Sequence, residues 1–352
     1  MTAAENKKKW KKRLLVLLFI AFNVGVILWT GLTELSSGSD AEKFRNVKVD
    51  YKLLIPAAAC CIGAILIETI KYIHLMKKIC GFKKRRLCLK TVLLGRYYDN
   101  VTPSGIGGQP MQIYYLNKNG VDNAASATIP IAAFLTMQFG FIILALIVII
   151  GGRSYIHMEI VKAACVIGII SYSIFPTMIL IFTLLPKLGV KMTNGFVSFL
   201  AFLHLTKNKE RLAEKFIRNV EGYSDCLTGC VKAKSTVAFT FVLGFVYQVL
   251  LCCIPYFVIS AFGGSVTFLS CFATTVMIYA AITFIPTPGN AGAAEGVFYL
   301  VFSSLTSGYM FWAMLVWRFF VYYIFIAAGI IITLVDYLAG RRQSVSAGKT
   351  TE

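Results

Sequence analysis

Arg96 and Asp99 stand three residues apart, just ahead of the Pro/Gly-rich stretch TPSGIGGQP (Thr102–Pro110). Glu295 stands inside a second such stretch, PTPGNAGAAEG (Pro286–Gly296), and Arg318 follows it in apolar sequence. A charge held inside a bilayer costs from about 3 to more than 10 kcal/mol unless it is paired or hydrated. The four charges therefore form either two structural ion pairs, Arg96 with Asp99 and Glu295 with Arg318, or a polar binding site. The breaks favour a site. A helix that restarts after each one begins with free backbone N–H groups and the positive end of its dipole, which attract an anion. Gly105, Gly107 and Gly108 in the first break, and Gly289 and Gly292 in the second, let the backbone turn sharply and approach a ligand closely. Two such termini and two arginines suit a phosphate group. Asn100, Pro103, Gln112 and Pro288 complete the candidate binding set. Catalysis has no comparable set: there is no Ser/His/Asp group, and His74, His157 and His204 are scattered.

The elements that must carry these residues are membrane helices. Of 352 residues, 57% are hydrophobic and 14% charged, against roughly 25% charged in a soluble domain. Long apolar segments run about 14–32, 53–75, 121–150, 159–185, 235–260 and 309–338, each long enough to cross a core of about 30 Å. The basic run KKKWKKR (Lys7–Arg13) ahead of the first, with no A-x-A site after it, reads as the flank of an uncleaved span. Segments 87–117 and 267–307 are broken in the middle. The net charge of +19 gathers in a few connections: 71–90 holds eight Lys/Arg and no Asp/Glu, 186–234 holds nine Lys/Arg, and the tail adds Arg341, Arg342 and Lys349. The positive-inside rule puts these, and both termini, on the cytoplasmic side of a cell membrane. Parity then makes 87–117 begin and end inside, and 267–307 begin and end outside.

The expectation is an all-α polytopic membrane protein with six full transmembrane helices and two re-entrant helical hairpins in inverted orientation, eight segments by hydropathy. Non-helical backbone at membrane depth must be buried in protein or line a watery cavity. Units 53–150 and 235–338 read as an inverted repeat, the pattern of transporters whose broken helices meet near the midplane. Thr102-Pro103-x-x-x-Gly107-Gly108 echoes Thr287-Pro288-x-x-x-Gly292-Ala293. Residues 1–345 form one membrane domain, with 187–234 an amphipathic cytoplasmic connection and 346–352 a disordered tail. Ten cysteines without a CxxC pair read as packing, so no metal and no cofactor are expected. Glu68, Lys71 and Asp336 read as interfacial, snorkelling or locally paired, and Gln138 and Gln248 as interhelical hydrogen bonds. The charge pattern excludes a nucleic-acid partner.

RYYDNVTPSGIGGQPMQIYYL (Arg96–Leu116), IPTPGNAGAAEGVFYL and WRFFVYYIFIAAG (Trp317–Gly329) resemble, in turn, three motifs of one family. It is the flippase-like membrane region of lysylphosphatidylglycerol synthases and their stand-alone relatives. The likeness covers about residues 10 to 340 and puts the family glutamate at Glu295 and the arginine of its closing helix at Arg318. It departs at Gln112, where the family often has Arg. The resemblance implies translocation of a phospholipid, aminoacylated phosphatidylglycerol or another lipid-linked substrate, between leaflets. In the long members a soluble domain lysylates the lipid, and the exported product masks negative charge against cationic antimicrobial peptides. No such domain follows here, so phosphatidylglycerol lysyltransferase activity is not expected of the chain alone. The alternatives are a membrane component of that synthesis, a membrane-embedded transferase and a small-solute transporter. Partners to consider are a second copy of the chain and a separate lipid-modifying enzyme.

Overall fold

The structure is a computed structural model that describes residues 48–102, 105, 107–151, 159–184, 226–282, 287, 289–305 and 309–348. The expected first span, most of the 187–234 connection, Pro103 and Pro288 lie outside the described residues, which are mostly helical, with no strand among them. In chain order the helices are α1 (Tyr51–Cys80), α2 (Arg85–Val101), α3 (Gly108–Lys118), α4 (Asn123–Gly151), α5 (Glu159–Leu184), α6 (Lys234–Ala261), α7 (Phe268–Ile282), α8 (Ala293–Leu305), α9 (Met310–Arg318) and α10 (Ile324–Gly348). A short helical segment, 226–232, precedes α6, and one π-helical turn, Phe319–Tyr323, joins α9 to α10. Helix α10 runs to Gly348, three residues into the stretch expected to be a disordered tail.

Four of these elements are long and apolar enough to cross a membrane: α1, α4, α6 and the stretch Met310–Ala339. Their outward faces are apolar, the reverse of a soluble bundle. On α1, Ile55, Ile62, Leu66 and Ile70 are exposed, while Ala57, Cys61, Ala64, Tyr72 and Leu75 on the other face are buried. The chain is therefore a multi-pass membrane protein.

Helices α1 and α6 lie antiparallel at the centre, and the Asp50 N–H beside the start of α1 donates to Ala261 O at the end of α6 (2.9 Å). Helices α4 and α6 approach so closely at Gly140 and Gly244 that a Cβ on Gly244 would sit 2.8 Å from Thr136 O. Small residues at such crossings let membrane helices pack by van der Waals contact.

Two helix–break–helix units fill the rest, with arms of 17 and 11 residues in α2 and α3 and of 15 and 13 in α7 and α8. At 1.5 Å per residue the longest arm reaches about 25 Å, short of a core of about 30 Å. Helix α2 stops where Thr102, held extended (φ −108°, ψ 146°) ahead of Pro103, cannot continue it. The outer ends of α2 and α3 lie with the basic end of the bundle, where Lys84 Nζ donates to Asn119 O (3.3 Å). The α7–α8 unit starts and finishes at the opposite end, where the Tyr309 N–H donates to Phe262 O (3.4 Å).

Candidate functional site

Both breaks open with the same turn. The Gly105 N–H donates to Thr102 O (3.2 Å) and the Asn290 N–H to Thr287 O (3.1 Å). Gly105 and Asn290 then take left-handed conformations, φ 62° and 54°. The breaks meet. Asn100 Nδ2 donates to Tyr322 O and Tyr322 Oη to Asn100 O, both 3.4 Å. A Cβ on Gly289 would sit 3.0 Å from Asn100 O and 2.3 Å from the Tyr322 ring, so glycine is what lets the second break touch the first. Between them lies a cavity of about 430 Å3, lined from the first unit by Arg96, Asp99, Asn100 and Gly105 and from the second by Gly289, Asn290 and Arg318.

The free N–H groups expected at the start of each return arm are occupied by the protein itself. Asp99 Oδ1 accepts the Gly108 N–H (2.8 Å) and Thr102 Oγ1 accepts the Gly107 N–H (2.9 Å). Glu295 Oε2 accepts the Gly292 N–H (2.7 Å). The anion at each helix N-terminus is thus a side-chain carboxylate, which satisfies donors a helix start otherwise leaves orphaned. Gly108 must be glycine for this, since a Cβ there would fall 2.2 Å from Asp99 Oδ1.

Glu295 and Arg318 form a buried pair, 3% and 4% exposed, with Arg318 Nε 2.7 Å from Oε1 and Nη2 2.7 Å from Oε2. Nη1 and Nη2 also donate to Gly289 O and Asn290 O, each at 3.4 Å. The guanidinium lies between the rings of Trp317 (5.1 Å) and Tyr322 (5.2 Å). Arg318 therefore clamps the backbone of the second break.

Arg96 and Asp99 do not form the close ion pair that their spacing allows. No carboxylate of the described residues lies within 4.0 Å of Arg96. Its guanidinium rests on the Tyr247 ring (4.9 Å) and against Met137 Sδ (3.7 Å), and it lines the cavity. Asp99 is drawn instead to the start of α3.

Gln112 faces away from the main cavity, packed on Gly95, and lines a smaller chamber of about 20 Å3 with Glu68, Arg96, Asp99 and Gln109. Glu68 and Lys71 are buried within the protein. Lys71 is fully buried, 2.7 Å from Glu68 and donating to Ala133 O on α4 (3.0 Å), which excludes snorkelling and supports local pairing. Asp336 is locally paired too, with Lys90 and the Tyr115 hydroxyl, both 2.6 Å away. Gln138 accepts from the Tyr172 hydroxyl across α4 and α5, and it lines the cavity together with Gln248. Sequence reasoning missed Gln109 and Tyr322. The signal for Tyr322 was its place one helical turn after Arg318.

No metal-binding group of three or more ligands occurs among the described residues. No curated protein matches the chain. The family model described as the lysylphosphatidylglycerol synthase TM region matches residues 13–329, and the chain belongs to that membrane, lipid-related family.

Proposed function

We propose that the chain moves a phospholipid, or another lipid-linked molecule, between leaflets by passing its headgroup through the central cavity. The observation that carries this reading is Arg96, a cation without a carboxylate partner among the described residues, facing a cavity of mixed polar and apolar lining between two broken helices. A half-buried cation with no ion-pair partner within 4.0 Å among the described residues is matched to an anionic visitor or to water. Asn100, Gln138 and Gln248 add neutral polar groups that can replace headgroup hydration. The hairpins α2–α3 and α7–α8 are re-entrant from opposite faces. They belong to inverted units whose shared Thr-x-x-Gly/Asn turn puts the breaks in contact, and rocking one unit against the other exposes the cavity to each leaflet in turn.

The test is reconstitution of the full chain in vesicles with acyl-labelled phosphatidylglycerol, reading the label left after an impermeant quencher removes the outer leaflet's signal. Wild type is expected to equilibrate the label, and Arg96→Gln to slow this at least about tenfold, the loss of one charged hydrogen bond of roughly 1.5–3 kcal/mol. Label retention equal to protein-free vesicles would refute the reading. Equal transport of a soluble glycerophosphodiester would favour a small-solute transporter.

A further inference from the structure

Charged side chains of α1 and α2 form a second cluster beside the cavity, and one member is unlike the rest. Glu68 is held by Lys71, and across the cavity Glu295 is held by Arg318. Asp99 has no ion-pair partner within 4.0 Å among the described residues. Its Oδ1 accepts the Gly108 N–H, which leaves Oδ2 free of a hydrogen bond from any described residue. Both Asp99 and Arg96 line the main cavity and also the small polar chamber. At about 20 Å3 that chamber has room for about one water molecule.

Resting on the translocation reading above, we propose that Asp99 is a proton site and that a proton travels with each anionic headgroup. With the cavity empty, Arg96 and Asp99 sum to zero charge. A phosphodiester docking on Arg96 brings a second negative charge beside the Asp99 carboxylate, in a place where net charge is costly. Uptake of one proton on Oδ2, drawn from the bulk solution by way of the chamber, restores neutrality, with phosphate and guanidinium now balanced and Asp99 a neutral acid. Oδ1 keeps the Gly108 N–H in both states, so the break is not dismantled by protonation. Linkage is reciprocal: the headgroup favours the proton and the proton favours the headgroup.

The groups around Asp99 permit this. Helix α2 itself supplies Arg96, α1 supplies Tyr72 and Glu68 with Lys71 paired to it, and α3 supplies the neutral Gln109 and Gln112. Tyr172 of α5 and Arg318 of α9 reach the main cavity. Glu68 and Glu295 are each committed to a cation, which leaves Asp99 as the carboxylate able to titrate without breaking an ion pair.

The experiment uses the same vesicles and acyl-labelled phosphatidylglycerol, with a pH gradient of about one unit and a lumenal pH dye. Electroneutral movement of one proton with one anionic lipid sets the final leaflet ratio at about tenfold per pH unit, the label gathering on the alkaline side. The dye should report proton movement only when labelled or native anionic lipid is present. Asp99→Asn, whose amide oxygen can still accept from Gly108, is read by its final leaflet ratio and is expected to lose the bias. If wild type equilibrates lipid but its leaflets stay equal under the gradient, the proton proposal is overturned while translocation stands. The same holds if only a sodium gradient produces the bias, or if Asp99→Asn retains it. If wild type moves no lipid at symmetric pH, the translocation reading itself has failed, and this proposal with it.

Discussion

The break after α2 and the break after α7 begin alike and end differently. In the first, the Thr102 hydroxyl accepts the Gly107 N–H, a carboxylate from the incoming arm caps the outgoing one, and Arg96 is left open to the cavity. In the second, the equivalent Gly292 N–H goes to Glu295 of the outgoing arm itself. The Thr287 hydroxyl is then buried with no partner among the described residues, and Arg318 is consumed in the clamp. One turn thus supports two uses of charge. The clamped break uses its cation to hold backbone, whereas the break capped by Asp99 leaves its cation open to the cavity.

The sharpest way to break this comparison is to remove each arginine. Arg318→Met strands a buried carboxylate and should cost about 3–5 kcal/mol, with a good part recovered in the Arg318→Met/Glu295→Gln double variant. Arg96→Met removes a half-buried ring contact and should cost about 1 kcal/mol or less. Thermal or denaturant unfolding in detergent measures both, and equal losses would erase the distinction. Next in size is Gly289→Ala, which adds a Cβ to a residue at φ 57° and drives it into the Tyr322 ring. Strain and overpacking together should cost about 2–4 kcal/mol, read from the same unfolding curves. The smallest effects test the caps. Thr102→Val leaves the Gly107 N–H unsatisfied, a loss of about 1–2 kcal/mol, while Thr287→Val removes a hydroxyl that bonds nothing described and should be neutral or slightly stabilising. The reverse order would show that the second break uses its threonine after all.

Much of this arrangement was legible in the chain. Most helix ends fell within a few residues of the apolar segments, the closing helix running ten residues further, because hydropathy and Pro/Gly punctuation act locally, and the breaks announced themselves by Thr-Pro and Gly-Gly. The Glu295–Arg318 pair was one of the two arrangements the four charges allowed. What did not follow was the choice among partners. Spacing put Asp99 beside Arg96, but folding back at Thr102 brought the Gly108 N–H within reach of the carboxylate, and a helix start competes well for an anion. Lys71 looked interfacial because linear distance to the basic run was short. Its burial depends on Ala133 of α4, a neighbour no local pattern names. Most of the 187–234 connection, read as amphipathic and cytoplasmic, lies outside the described residues.

The π-helical turn between α9 and α10 has a mechanical consequence. The Ile324 N–H donates to Phe319 O, five residues back, so this turn holds one residue more than an α-helical turn. An extra residue swings everything after it by about 100° around the axis, given 3.6 residues per turn. Arg318, before the turn, faces the second break. After it, Gly329 packs on Tyr97 of α2 and Asp336 bonds Lys90 of the same helix. A straight helix would have aimed Arg318 and Gly329 in nearly the same direction, since eleven residues make close to three whole turns. The extra residue thus lets one closing helix face the second break before the turn and the first hairpin after it.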